Sequence, residues 1–271
     1  MNKKYAVVGI VVAILVVVVI VFYQVSSRDR TFSNIIYQID YNEDTILRQE
    51  NINHYLKDNN INVIGKKIDS VDKQIIENKL RLYPYIEHVE VLDSKDKLIV
   101  KIKQEKILAK VYNQEDKVFF LSKTGRILPY DSLIHGRFLI VNGKIDNQYQ
   151  NNIYLCEDSL FATKDSLKIK KYLNLYNIWK IAQYVDNDEF WKAQICQIYL
   201  DENDDFQLST TVGNHVVLFG KLTMSPQIEQ VIDSRFSNLK SIYVNGFKIM
   251  GWDKYEMINL KYGKEIPCKK R

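Results

Sequence analysis

The stretch that most constrains this chain is Tyr5–Tyr23, YAVVGIVVAILVVVVIVFY, which holds no charge, no proline and one glycine. As a helix it would be about 28 Å long at ~1.5 Å per residue, close to the ~30 Å hydrocarbon core of a bilayer. Its β-branched run Val16, Val17, Val18, Val19, Ile20, Val21 forms helix poorly in water. In lipid the backbone must satisfy its own hydrogen bonds, and helix is the only way one segment can do so. No second stretch of this kind occurs. The expectation is one membrane crossing over residues 5–23, a four-residue tail before it, and everything after it on one side. Lys3, Lys4 and the amino terminus precede the span, and Arg28, Asp29 and Arg30 follow it. That asymmetry is slight, but long domains translocate largely regardless of charge, so both point to N-terminus in and bulk out. The competing reading is a signal peptide cleaved near Val25-Ser26-Ser27. The apolar run exceeds the usual ~7–15 residues of such a peptide, which favours a retained anchor.

Beyond a short polar linker (24–34), roughly 240 residues remain, enough for one large or two ordinary domains. Charged residues make up 26% of the chain and alternate in sign, so the net charge of +5 leaves no concentrated footprint for nucleic acid. Lys269-Lys270-Arg271 is the one basic cluster after the anchor and reads as a solvated tail over 267–271. Cys156, Cys196 and Cys268 are an odd set without metal-ligand spacing. One pair could bridge outside the cytoplasm, and the sequence does not choose it; three packed or free thiols are the simpler reading.

Periodicity orders the first domain. Ile35–Tyr41 is β-rich, with Tyr37, Ile39 and Tyr41 on one face. A helix over 48–57 places Ile52, Tyr55 and Leu56 together, and a second, capped by Asp69 or Ser70, carries Val71, Ile75, Ile76 and Leu80. Pro84 closes it. Val89 and Val91 alternate with His88 and Glu90, a turn at Ser94–Lys97 follows, and Leu98, Val100 and Ile102 alternate with lysines. Strand, helix, helix, strand, strand in about 70 residues buries these stripes as a three-stranded sheet with two helices on one face.

That order resembles a POTRA domain. The run Ile76-Glu77, Leu80, Pro84, Ile86, Val89, Val91, Leu98, Val100, Ile102 and Gln104 resembles the POTRA domain of the bacterial cell-division family FtsQ/DivIB. The resemblance continues. Ile107–Tyr112 reads as a strand, with Ile107 where the family often has proline. Val118–Leu121 and Arg126–Pro129 flank Gly125 as a hairpin. Phe138–Val141 is a strand closed by Asn142-Gly143, and a long helix from Asp165 or Ser166 buries Leu175, Ile178, Trp179, Ala182 and Val185. Phe190-Trp191 leads through Ala193-Gln194-Ile195 to a strand ending at Leu200. Strands follow around Gly213-Asn214, then a helix over 227–239, a loop at Gly246–Trp252 and a last strand from Tyr255 to Tyr262. The words from Phe190 to Ile195, Val212 to Gly220 and Ile258 to Gly263 resemble the C-terminal β-domain of this family in its Bacteroidetes form. The fold class expected is therefore α+β: one transmembrane helix, a POTRA-like domain (35–104) and a larger mixed β-domain with two helices (105–266).

No catalytic signature is present: no G-x-S-x-G, no G-x-x-x-x-G-K-[ST], no H-E-x-x-H. The acidic run Asp201–Asp205 lacks the sixth-position glycine and twelfth-position glutamate of a calcium loop and reads as a hairpin turn. His54, His88, His135 and His215 are dispersed and read as surface or turn residues. Gly246–Trp252 lacks the Lys-Ser/Thr of a phosphate cradle. No cofactor, metal site or small-molecule substrate is expected. An anchored peptidoglycan enzyme, the alternative, would need a nucleophile or metal cluster; an outer-membrane POTRA transporter would need many ~10-residue lipid-facing strands.

The segment expected to act is the last strand. A sheet edge carries unpaired N–H and C=O groups and accepts a strand from another chain. If the strand continues, Tyr262, Lys264 and Ile266 share a face, and Pro267 ends pairing. The alternative is that Tyr262 covers the core. Here Asn259-Leu260-Lys261-Tyr262 stands where the family has Asp-Leu-Arg-Tyr. The resemblance implies a non-enzymatic scaffold in the inner membrane, its bulk periplasmic, whose last strand (Ile258, Leu260, Tyr262, Lys264, Ile266) docks FtsB together with FtsL.

Overall fold

The structure, a computed structural model, describes residues 13–20, 30–42, 45–155, 166–223, 225–263 and 265–271. Residues 13–20 are helical and their side chains exposed. The rest of the expected span lies outside the described residues, among which no helix is long and apolar enough to cross a membrane. The chain divides into two compact units, 1–104 and 105–271.

The first unit is built on a three-stranded sheet: β1 (Asn34–Asp40), β2 (Ile86–Ser94) and β3 (Lys97–Gln104), in the order β1-β3-β2. β1 runs parallel to β3 and β2 antiparallel to it. Helices α1 (Gln49–Asp58) and α2 (Lys73–Leu80) bury Ile52, Leu56, Ile76 and Leu80, and the sheet buries Val89, Val91, Leu98, Val100 and Ile102. The α2 cap is Asp72, whose carboxylate accepts from the Gln74 and Ile75 N–H groups at 2.9 and 3.3 Å. Asp69 and Ser70, expected in that role, form a separate 3₁₀ turn. A side-chain oxygen must sit two or three residues before the N–H it accepts from, and Asp72 alone meets that spacing here. The two-residue β2–β3 turn puts Lys95 at φ +59°, so a lysine does what glycine does in other hairpins.

The second unit holds a nine-stranded sheet. Its strands are β4 (Ile107–Tyr112), β5 (Val118–Ser122), β6 (Ile127–Pro129), β7 (Leu139–Gly143), β8 (Ile195–Leu200), β9 (Phe206–Thr210), β10 (Val216–Gly220), β11 (Tyr255–Asn259) and β12 (Cys268–Lys270). Their order is β12-β11-β10-β9-β8-β7-β4-β5-β6. These strands are far shorter than the ~9–11 residues that span a bilayer. One face packs on α3 (Ser166–Asp186), α4 (Glu189–Gln194) and α5 (Ile228–Ser241). The expected stripe of α3 is buried, and so are Tyr172, Tyr176, Asn177 and Ile181, so this helix is surrounded rather than half-solvated. Tyr184 stacks on Phe236 of α5 at 4.6 Å and donates to Asp233 at 2.9 Å.

Two local differences from the sequence expectation have clear causes. The stretch before β8 is helical, because Asp188 caps α4 by accepting from the Phe190 and Trp191 N–H groups. The segment after α5, expected as a loop, stays helical: Ile242–Phe247 forms π-type turns and Lys248–Met250 a last α turn. Tyr243 and Phe247 are buried there, and that packing outweighs the glycine at 246. Gly251, at φ +89°, ends the helix.

Candidate partner-docking edge

At the far end of the sheet, β11 lies parallel to β10, with Val217 opposite Ile258 and Leu218 opposite Asn259. Ile258 and Leu260 point inward and are fully buried beside Val217 and Phe219. An aromatic corner lies beneath. Phe247 stacks on Tyr255 at 5.6 Å, and Tyr243 packs on Trp252, Trp191 and His215.

His215 belongs to this corner. It is 3% exposed rather than a surface turn residue. Its Nδ1 lies 2.9 Å from the Gly213 carbonyl and its Nε2 2.7 Å from the Tyr243 hydroxyl. A carbonyl only accepts, so Nδ1 carries the proton and Nε2 accepts from Tyr243. Burial pushes the imidazole pKa down, the Gly213 bond opposes this, and Arg271 nearby adds to the depression. His54, His88 and His135 are exposed.

β11 ends at Asn259 and does not continue through Tyr262. The Asn259 carboxamide oxygen accepts from the Lys261 N–H at 3.0 Å and starts a turn, with Gly263 at φ +71°. Asn238 donates to the Gly263 carbonyl at 2.9 Å, and Lys261 pairs with Asp205 at 2.5 Å. Tyr262 rides on this braced turn, 67% exposed. It therefore does not cover the core. Ile266 is half-buried and packs against the core, and Lys264 lies outside the described residues. Tyr262 and Ile266 are thus not neighbours on one strand face.

The chain then returns. Asn259 N–H donates to the Pro267 carbonyl at 2.9 Å, and β12 pairs antiparallel with β11, Ile258 opposite Cys268 and Met257 opposite Lys269. Lys269 is ion-paired with Glu256, and Arg271 donates to the Asn214 carbonyl. The residues expected as a solvated tail are the outermost strand. Pro267 does not stop pairing, because its carbonyl is the group used. The sequence signals were Gly263 as a turn and opposite charges at Glu256 and Lys269; Cys-Lys-Lys carries no strand periodicity.

The two ends of the sheet differ. At β6, Ile127 N–H donates to the Ile153 carbonyl at 3.0 Å, Leu155 N–H donates to the Gly125 carbonyl at 2.8 Å, and Pro129 has no N–H to offer. That edge is covered. β12 is the last strand at the opposite end, and it carries Lys269 and Lys270. Lysines on an edge blunt indiscriminate pairing without removing its main-chain groups.

Among the described residues, no three His, Cys, Asp or Glu side chains are grouped to hold a metal. The arrangement sets together an edge strand with main-chain groups, an exposed tyrosine on a braced turn beside it, and a basic margin.

A small sheet with two helices, followed by a larger mixed sheet, defines a POTRA-type domain joined to a β-domain. The comparisons agree: residues 36–103 match the POTRA-like domain family. Residues 106–269 match the family described as "FtsQ/DivIB, C-terminal related", and the chain belongs to it. No individual curated protein matches. Proteins of this family are generally non-enzymatic, typically membrane-anchored, and associated with cell division and divisome partners.

Proposed function

We propose that this protein is a non-enzymatic division scaffold, anchored by residues 5–23 with its N-terminus cytoplasmic and its two units periplasmic, that recruits other single-span division proteins. The partner strand adds to β12, and Tyr262 packs on it from the adjoining turn. The partners we propose are FtsB with FtsL; the family match supports divisome partners in general. The observation that carries this reading is the asymmetry of the nine-stranded sheet: one end is covered by residues 153–155, while the other ends in β12. Strand addition draws affinity from main-chain hydrogen bonds and specificity from the side chains beside them. Ile258 and Leu260 act indirectly, by fixing β11 to the core.

The test is photocrosslinking in cells from positions 262 and 270, with mass spectrometry of the adducts. A small single-span coiled-coil protein captured at both, with the position-270 adduct lost in a Tyr262→Lys variant, is the expected result. Self-adducts alone, or capture only from the first unit, would place the partner site elsewhere.

A further inference from the structure

The faces of the two sheets that turn away from the helices have opposite character. In the first unit the cross-strand rows are charged: Gln38, Lys101 and Glu90 in one, Asp40, Lys103 and His88 in the next. Lys101 pairs with Glu90 at 3.1 Å and Lys103 with Glu87 at 2.5 Å. That is how a solvated sheet face is built.

In the second unit, two rows cross β7 to β11. One is Ile140, Gln197, Ser209, Val216 and Met257; the other is Asn142, Tyr199, Gln207, Leu218 and Asn259. None of the ten is charged, in a chain with 26% charged residues. All are at least partly exposed, with Tyr199 and Val216 the most so. Interface cores are marked by this depletion of charge, with aromatic and Met side chains retained.

Size selects the occupant. Five strands at ~4.8 Å make the face ~24 Å across, and two rows ~6.8 Å apart make it ~14 Å deep, on the order of 340 Å². A stable dimer needs about 800 Å² from each partner, so a second copy of this chain is a poor fit. A single helix, ~10–12 Å wide, fits: four to five turns laid across the strands fill the face. The rows end at β12, where Lys269, Lys270 and Arg271 follow, so the helix end above them carries acidic residues.

We infer that this uncharged outer face of β7–β11 is a docking surface for one amphipathic helix of a partner chain, with an uncharged contact face and an acidic end over β12. It uses side chains on the sheet face, whereas the strand-addition site uses the main chain of the edge, and neither requires the other.

The test uses the full-length chain in cells, with a photoreactive residue at 199 or 216 and, as controls, at 90 and 262. Positions 199 and 216 lie on strands two apart, ~10 Å, so their adducts should map to partner residues about seven positions apart on one helix face. Val216→Lys should lower the position-199 adduct by about tenfold or more while the position-262 adduct and circular dichroism stay unchanged. Ser209→Lys is the second variant should Val216→Lys misfold. Adducts to a second copy, to the first unit of the same chain, or to nothing at 199 and 216 would overturn the inference. Adducts at 262 without any at 199 and 216 would do so while leaving the edge reading intact.

Discussion

At the residue scale, His215 shows how a buried titratable group sets a pH response. Folded, it is neutral, with its pKa held below the ordinary 6.5 by burial first and by Arg271 last. The unfolded chain takes up the proton near 6.5 and the folded chain only at lower pH. The stabilisation is therefore complete above ~6.5 and is lost as pH falls through that value towards the folded pKa. Urea midpoints from pH 7.5 to 5 should fall in the native protein more steeply than in a His215→Gln variant; parallel slopes would show the histidine to be silent. Gly143 is the other position where one atom decides. Its φ is +106°, and a Cβ there would lie 2.1 Å from the Leu200 carbonyl oxygen on β8. Gly143→Ala should cost about 2 kcal/mol or more, seen as a lowered thermal midpoint. Neither feature was legible in the sequence. Beyond Gly213, the groups that act on His215, Tyr243 and Arg271, are 28 and 56 positions away, and Asn-Gly at 142–143 reads equally well as an ordinary turn.

At the scale of elements, legibility followed how each element is buried. The first unit's strands have one covered face, so Val89/Val91 and Leu98/Val100/Ile102 alternate visibly with polar neighbours. α3 showed only part of its burial, because a helix covered on most sides has no polar stripe to define the rest. β12 was hidden altogether: three residues carry too little pattern, and its place is set by β11 and the Lys261–Gly263 turn. Short capped elements should be sensitive to their caps. Asp188→Ala removes acceptors for two α4 N–H groups and a partner of Lys240, and should cost about 1 kcal/mol in chemical denaturation. No change in midpoint would mean that packing of Trp191 alone holds α4.

For the molecule as a whole, the largest apolar cluster contains only residues from Leu108 onward, and the first unit has its own core of Leu47, Ile52, Leu56, Ile76, Leu80, Val89, Val100 and Ile102. Residues 105–271 expressed without the first 104 should therefore fold with a cooperative transition of their own. Failure of that fragment to fold would tie the two cores together. The covered β6 edge has a further consequence. A sheet that can be lengthened from both ends is a link in a polymer, whereas one sealed at one end is a terminus. Under the strand addition proposed at β12, the larger sheet is lengthened at that end alone, so that contact takes on one neighbour and does not run on into fibres.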